Sequence, residues 1–544
     1  MARTLGHFIE ARDSLVTDAI DGLLASGGGT LARLDGYPDI RVVLRAERDA
    51  GKVAVISGGG SGHEPAHAGL VGAGLLDAAV CGDVFASPSA DAVLAGILAV
   101  SGPAGCLVVV KNYAGDRLNF GLAAERARGM GIAVETVLVA DDIALPGATQ
   151  PRGVAGTLFV HKVAGHAAAS GLPLSEVAAR ARRAASAARS LGIAVSTATI
   201  PGSRRAERME EGQAELGLGI HGEPGAERLA LPPASDLARI MTERLSATLP
   251  GEVPLALLVN NLGATTSLEM QVLTRAVLAT DLGKRVRLLL GPAPAMTALD
   301  MHGASLSFLA LDGELEEALV SPVPVPHWPM AVRIAAPHVK PLPRGLEGER
   351  FTPSQDETAA ARIEAVAKAL VAAEAELNAL DATVGDGDTG TTFAGAARAV
   401  LADLDKLPQA DSPALARALA ERIGRAAGGS SGVLGSIFFA AAGASLASGA
   451  AWPEALHEGV ARVRAYGGAG PGDRTMLDAL IPALDALKTG DFASAAHAAR
   501  EGARATAAMT RAATGRSSYL ASGDLQGTED PGAAAIAIAF AALT

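Results

Sequence analysis

Apolar runs of β type alternate with segments of helical periodicity through about the first 330 residues of the chain. The runs are KVAVIS (52–57), CLVVVKNY (106–113), VETVLVA (134–140) and PLALLVNN (254–261). Each ends in a loop containing glycine or aspartate before a helical pattern such as RLNFGLAAERARG. This alternation predicts an α/β region with a largely parallel or mixed sheet, whose chemistry gathers beyond the carboxyl ends of the strands. A helical stretch, LSEVAARARRAASAARSLG, runs into STATIPGS and marks a break near 185–200. Two α/β subdomains are therefore expected, over 1–190 and 191–325.

The pattern changes near 330. Proline crowds the segment from 322 to 353 (PVPVPHWP, APHVKPLPRG, TPS), which predicts an extended linker over 326–355. Beyond it, ARIEAVAKALVAAEAELNAL places Ile363, Val366, Ala367, Leu370, Val371, Leu377 and Leu380 on one helical stripe. SPALARALAERIGRAAGG, TMLDALIPALDALKTG and ASAAHAAREGARATAAMTRAA repeat that periodicity with Gly or Pro at their ends, and no alternating β-branched run intervenes. An all-α domain is expected over 356–544. The stretch from Ala426 to Pro453 carries no charge, but its many Gly and Ser residues suit a buried helix with a glycine-rich entry loop better than a membrane span.

At 544 residues the chain is long enough for about three domains. Aromatic residues make up 3% and the net charge is −12, which disfavours stacking on bases and attraction to a phosphate backbone. Nucleic acid and membrane are thus not expected partners. Cys81 and Cys106 are too few for a disulfide framework or a zinc site. The N-terminal stretch lacks a basic-then-apolar signal pattern, so a cytoplasmic protein is expected.

Chemistry concentrates in a few loops. LDATVGDGDTGTT (380–392) crowds Asp381, Asp386 and Asp388, and like charges at that spacing call for a hard divalent cation with oxygen ligands, Mg²⁺ with phosphates foremost. An EF-hand does not fit, because counting from Asp386 puts Gly390, Thr391 and Ala397 at positions reserved for other residues. A solvated helix-capping turn is the plain alternative. GGGSGHEPAH (58–67) presents Ser61 and His63 at a strand end among glycines that let backbone amides approach a small polar ligand. KNYAGDRLNF (111–120) puts Lys111 and Asp116 at another strand end, and GLGIHGEPG (217–225) sets His221 among four glycines. GGSSGVLGS (428–436) is either a phosphate cradle at a helix N-terminus or a close-packed turn between helices, and Arg474 and Arg516 are candidate phosphate partners.

Together these segments are specific. SGGGSGHEPAHAG, LDAAVCGDVF, KNYAGDRLNF, RGVAGTLFVHK and GIHGEP resemble the substrate half of dihydroxyacetone kinases. LDATVGDGDTG, GGSSG, GPGDRTMLDAL, GRSSYL and DPGA resemble their nucleotide half, in the family's order and over nearly the whole chain. The fusion of both halves is similar to the single-polypeptide, ATP-dependent branch. The resemblance implies that His221 attacks the substrate carbonyl and holds it as a hemiaminal, a reaction open to ketoses and aldoses but not to polyols. It implies substrate contacts at Gly60, Ser61, Gly62 and Lys111, with His63 and Asp116 assisting hydroxyl deprotonation and Asp116 the likelier base. It implies that Asp381, Asp386 and Asp388 hold two Mg²⁺ ions bridging the ATP phosphates. Nucleotide contacts are implied for Thr389, Gly390, Thr391, Thr392, Ser430, Ser431, Gly467, Met476, Arg516, Asp530, Pro531 and Gly532. A helical barrel for the nucleotide domain and a homodimer are implied as well.

The chain departs from the family at Ala114, commonly threonine, and at Arg117, usually small and apolar. Both adjoin Asp116, and the added cation could favour a longer polyhydroxy ketone such as erythrulose over dihydroxyacetone. Glyceraldehyde is a further candidate substrate. A non-catalytic carbonyl-binding regulator is the alternative of another class, and FMN-forming lyase activity on FAD is a third.

Overall fold

The computed structural model describes residues 7–203, 208–344, 346, 348–426, 429–513, 518 and 525–544, the side chains of 429–431 excepted. The chain divides into two compact units, Met1–His338 and Val339–Thr544.

In the first unit the apolar runs become strands. A six-stranded sheet contains β1 (Leu31–Arg33), β2 (Val42–Arg45), β3 (Ala54–Ser61), β4 (Ala78–Val84), β5 (Cys106–Lys111) and β6 (Val134–Val139) in the order β1-β2-β4-β3-β5-β6. The four strands β4-β3-β5-β6 are parallel, and β1 and β2 join antiparallel at one edge. A second, seven-stranded sheet contains β7 (Ala188–Ala194), β8 (Gln213–Leu216), β9 (Glu227–Ala230), β10 (Leu255–Asn261), β11 (Val286–Ala293), β12 (Gly303–Ala310) and β13 (Val332–Arg333). Its order is β13-β11-β10-β12-β7-β8-β9, and among the described residues β10 and β11 are its one parallel pair. The α/β region with mixed sheets is therefore as expected, but the second sheet is mainly antiparallel. Every residue of β3, β5 and β10 is buried, which is why these strands read as continuous apolar runs rather than alternating ones.

Helices Thr157–Ala169 and Leu174–Ala187 share one core with Val55 and Leu107 of the first sheet and Leu258 and Leu288 of the second. Helices Ala90–Val100 and Ala114–Gly129 cover the first sheet's other face, and Ala234–Ser246 and Ser267–Ala279 that of the second. The helix expected to run through SLG stops at Ala187, and its last residues form β7 between β12 and β8. Ala, Arg and Leu favour helix intrinsically, and pairing on both edges overrides that preference.

The two sheets are tied by Asp141, just beyond β6. Its buried carboxylate accepts hydrogen bonds from Val154 N and Gly156 N, both at 2.8 Å, and from the Ser190 hydroxyl on β7. Its backbone carbonyl accepts from Ser190 N at 2.7 Å. A Cβ at Gly156 would come within 2.5 Å of the same carboxylate, so only glycine lets the chain pass there. Burial raises the pKa of Asp141, and the Ser190 and amide hydrogen bonds pull it back.

The proline-rich segment is anchored at both ends. Trp328 is buried in the first unit's core, and Val332 and Arg333 extend the second sheet at its edge, where prolines nearby cost no ladder bonds. On the far side, Arg417 pairs with Glu349, and Ser354 bridges to Pro408.

All regular elements described in the second unit beyond that bridge are helical. Helices Glu357–Ala372, Glu374–Val384, Thr389–Ala402, Ser412–Ala426, Gly429–Ala447, Trp452–Gly467, Leu477–Thr489, Phe492–Thr506 and Pro531–Ala541 follow one another. Neighbours in sequence pack together, and the last returns to the first, closing a ring. The single long helix read from ARIEAVAKALVAAEAELNAL is two helices that part at Ala373. That turn sets Ala373 and Leu377 against Ala534 and Ala535. The apolar stripe of Ile363, Val366, Ala367 and Leu370 lines a cavity of about 600 Å³ inside the ring, together with Phe393, Phe438 and Ile536. No helix among the described residues is long and apolar enough to cross a membrane.

Asp141→Ala would strand two buried amides at the junction of the sheets and leave the Ser190 hydroxyl with Ser307 alone. A loss of about 3 kcal/mol is expected, seen as a lower urea midpoint and faster amide exchange at Val154 and Gly156. An unchanged midpoint would count against Asp141 as the tie between the sheets.

Candidate active site

The carboxyl end of β3 is made of glycines because other backbone presses on it. A Cβ at Gly58 would lie 2.2 Å from Val80 O, and one at Gly60 2.7 Å from Ala86 N. At Gly59 (φ +148) and Gly62 (φ +99) the backbone itself favours glycine. The hydroxyl of Ser61 donates to Gly82 O at 2.8 Å, so this side chain fastens β3 to β4. Gly62 N is held by the Glu64 carboxylate at 2.9 Å.

This loop meets two loops of the second sheet. Thr297 and Leu299, beyond β11, donate backbone hydrogen bonds to His63 O at 3.1 Å and to Gly62 O at 2.8 Å. His221, between β8 and β9, arrives from the same side, its ring centroid 4.9 Å from that of His63. Tyr113 and Phe85 wall it in, with centroids 4.6 and 5.3 Å from the His221 ring. Phe85 also stacks on His63 at 5.2 Å and holds a left-handed backbone (φ 58).

Both imidazoles have their tautomers fixed by their partners. His63 Nδ1 lies 2.8 Å from the Thr297 carbonyl, which can only accept, so Nδ1 carries the proton and the buried Nε2 presents its lone pair. Burial first, then the Lys111 charge, holds the His63 pKa well below 6.5, so the ring is neutral. His221 Nδ1 lies 3.0 Å from Glu223 Oε1, and His221 N donates to Glu223 Oε2 at 3.0 Å. Burial opposes the Glu223 charge, but the bonds from the His221 ring and from backbone amides outweigh it and bring the pKa down to about 2. An ionised Glu223 can only accept, so in this contact His221 Nδ1 carries the proton. Gly219 makes room for this grip, since a Cβ there would stand 2.0 Å from Glu223 Oε2.

Lys111 ends β5 fully buried, and Asp116 sits 5% exposed in the first turn of helix Ala114–Gly129. They converge on one point, for a Cβ at Gly59 would approach Lys111 Nζ at 3.2 Å and Asp116 Oδ2 at 3.5 Å. Burial lowers the Lys111 pKa, opposed by Asp116 and then by Glu223, Glu64 and Asp141. Arg117 turns to Gln150, donating to its side-chain oxygen at 2.7 Å.

The acidic loop lies in the helical unit. Asp381, Asp386 and Asp388 each offer an oxygen, all within 4.8 Å of one another. Asp381, on helix Glu374–Val384, is buried, and its Oδ2 accepts from Asp388 N at 2.9 Å and Thr389 N at 3.0 Å, which folds the loop around it. Gly387 (φ +79) lets the chain turn between the other two. Three convergent hard oxygens, two of them exposed, fit Mg²⁺. Thr391 N donates to Asn378 Oδ1 at 3.0 Å, and Gly390 is buried. Thr392 and Met476 line the ring's cavity.

Asp530 caps the last helix by accepting from Ala533 N at 2.8 Å, and burial raises its pKa to about 6 against the pull of Arg474. A Cβ at Gly532 would touch Met476 Cβ at 3.3 Å, so Asp530, Pro531 and Gly532 adjoin the loop before helix Leu477–Thr489. Arg474 in that loop turns inward, 1% exposed, and donates to Thr528 O at 2.8 Å. Gly467 is exposed at the end of its helix. Arg516 and the side chains of Ser430 and Ser431 lie outside the described residues.

Sequence reasoning passed over Gly59, Phe85, Tyr113, Glu223 and Thr297. The repeated Glu-Pro after each loop histidine was the one signal that pointed to Glu223.

Residues 25–327 match the Dak1 domain family and residues 383–544 the DAK2 domain family. The chain is 48% identical to a dihydroxyacetone kinase of Citrobacter freundii over 98% of each protein. It is 36% identical to an L-erythrulose 1-kinase of Mycolicibacterium smegmatis over 99% of each. Its fold is similar to the crystal structure of the dihydroxyacetone kinase from C. freundii in complex with AMP-PNP and Mg²⁺, with a TM-score of 0.73, 46% identity and 99% of both chains covered.

Asp388→Asn removes one of the three convergent charges without changing shape. Binding of Mn²⁺, followed by electron paramagnetic resonance, should weaken about tenfold or more, and unaltered binding would exclude Asp388 as a ligand.

Proposed function

The chain belongs to the dihydroxyacetone kinase family, and from that premise we propose that it moves the γ-phosphoryl group of ATP to the terminal hydroxyl of a short-chain ketose, dihydroxyacetone first. It is an ATP-dependent ketose kinase, and the observation that supports this reading most directly is the His221 ring clamped by Glu223 at 3.0 Å.

His221 Nε2 bonds to the carbonyl carbon. The π pair of the carbonyl becomes a lone pair on oxygen, and the proton that Nδ1 gives up passes through the Glu223 carboxylate and solvent to that oxygen, so the ring ends neutral and the glutamate ionised. A polyol has no carbon that can accept this attack, so selection rests on bond formation rather than on hydrogen bonding alone. Asp116 takes the proton of the terminal hydroxyl as its oxygen attacks the γ-phosphorus, and ADP leaves. The neutral His63 can accept a hydrogen bond from a substrate hydroxyl through Nε2, and the Lys111 ammonium orients substrate oxygen. Gly60, Ser61 and Gly62 contribute backbone amides. Asp381, Asp386 and Asp388 hold Mg²⁺, two ions on this reading. Bound there, the metal neutralises charge developing on the transferred phosphoryl. Thr389 to Thr392, Ser430, Ser431, Gly467, Met476, Arg516 and Asp530 to Gly532 line the nucleotide. The same reading brings a homodimer and a cytoplasmic setting.

A four-carbon ketose is the second reading, supported by the similarity to an L-erythrulose kinase and by the cation at Arg117. A hydrogen bond to Gln150 holds that exposed cation, which follows Asp116 in the chain. A non-catalytic carbonyl binder would have no use for the three convergent aspartates.

ADP release with dihydroxyacetone, D- and L-erythrulose, glyceraldehyde and glycerol decides among these. Turnover on at least one ketose and none on glycerol is expected, and silence on every carbonyl substrate with Mg-ATP sinks the reading. His221→Ala should raise the ketose KM and admit glycerol, whereas Asp116→Ala should lower kcat by about 100-fold or more. Glu223→Gln should slow capture by about tenfold, measured as kcat/KM for the ketose.

A further inference from the structure

Near enough to Lys111 to feel its charge lies a set of buried polar groups that the reaction above does not use. Thr157 and His161 stand one turn apart on helix Thr157–Ala169 and are both 0% exposed. His67, 5% exposed, faces them, its ring centroid 5.2 Å from that of His161 at an interplanar angle of 67°. Neither nitrogen of either ring has a protein hydrogen-bond partner, and neither do Thr157 Oγ1 and Lys111 Nζ. Six polar atoms thus share one interior region without serving one another.

We propose that His67, His161 and Thr157 hold ordered water against the Lys111 ammonium, which makes the two histidines positioning residues for that cation. This rests on the reading of the chain as a ketose kinase.

The hydrogen-bond inventory supports it. An ammonium has three donors and no acceptor, whereas a neutral imidazole has one of each, and a hydroxyl can do both. Buried polar atoms are rarely left unsatisfied, and a polar interior with two to four partners is where buried water resides. Burial first, and the Lys111 charge with it, keeps both rings neutral, so each retains the acceptor nitrogen that water requires. The ammonium meets the reaction site at Gly59, where one N–H suffices for a substrate oxygen. Its remaining donors need acceptors, and with His67, His161 and Thr157 in place water supplies them. Without that water the ammonium would swing toward the carboxylates that act on it, Asp116, Glu223, Glu64 and Asp141.

The test uses the full-length enzyme with dihydroxyacetone or erythrulose and Mg-ATP, and a high-resolution crystal structure beside it. His161→Leu is expected to raise the ketose KM about tenfold while leaving the KM for ATP in place. His161→Gln, which keeps a donor and an acceptor, should recover to within about threefold of wild type. Thr157→Val, nearly isosteric and so least apt to disturb folding, should raise the ketose KM by about threefold. Electron density should show water within hydrogen-bond reach of Lys111 Nζ and of at least one of the two histidines. Wild-type kinetics in both His161→Leu and Thr157→Val would overturn the proposal. Equal impairment of His161→Gln and His161→Leu, or an interior without water next to Lys111, would overturn it too. Because the density is independent of turnover, a chain with no kinase activity would refute the function without touching the water site.

Discussion

A buried carboxylate ties together the two sheets from which the candidate site is assembled. Asp116, the glycines and Lys111 belong to the first, whereas His221, Glu223 and Thr297 belong to the second. Asp141 fixes their mutual position by taking hydrogen bonds from the start of helix Thr157–Ala169 and from β7 at once. That arrangement is costly in isolation, since burial opposes the charge. It persists because removing it would leave buried amides with no acceptor. The backbone bonds from Thr297 and Leu299 to the His63 loop then close the junction over the reacting groups.

The two imidazoles of the site have their protons placed by different partners. At His63 the partner is the Thr297 carbonyl, and enclosure and a neighbouring ammonium keep that ring neutral. At His221, which is partly open, an ionised glutamate dictates which nitrogen bears the proton. One ring thereby offers an acceptor nitrogen inside the core, and the other is partly exposed. They come from different sheets and from loops 158 positions apart in sequence.

Much of this was legible in the chain. Glycine runs at strand ends, the spacing of Asp381, Asp386 and Asp388, and the 3.6-residue period of the last third are local signals, and local physics produces them. What escaped notice is set by distant contacts. Phe85 and Tyr113 matter because three loops bring them against one ring, and nothing near either residue announces it. The stretch 188–194 has good helix formers but lies between two strands, and neighbours decided its form. The break at Ala373 follows from packing on a helix more than 150 residues later. The inward turn of Arg474 to the Thr528 carbonyl likewise depends on a segment more than 50 residues away.

The half-buried stripe of Ile363, Val366 and Leu370 has a volumetric consequence. These side chains face a cavity of about 600 Å³ rather than a filled core. Unfolding such a ring abolishes internal free volume, and the volume change of unfolding grows with the void removed. Hydrostatic pressure is therefore a lever on the helices that carry the acidic loop.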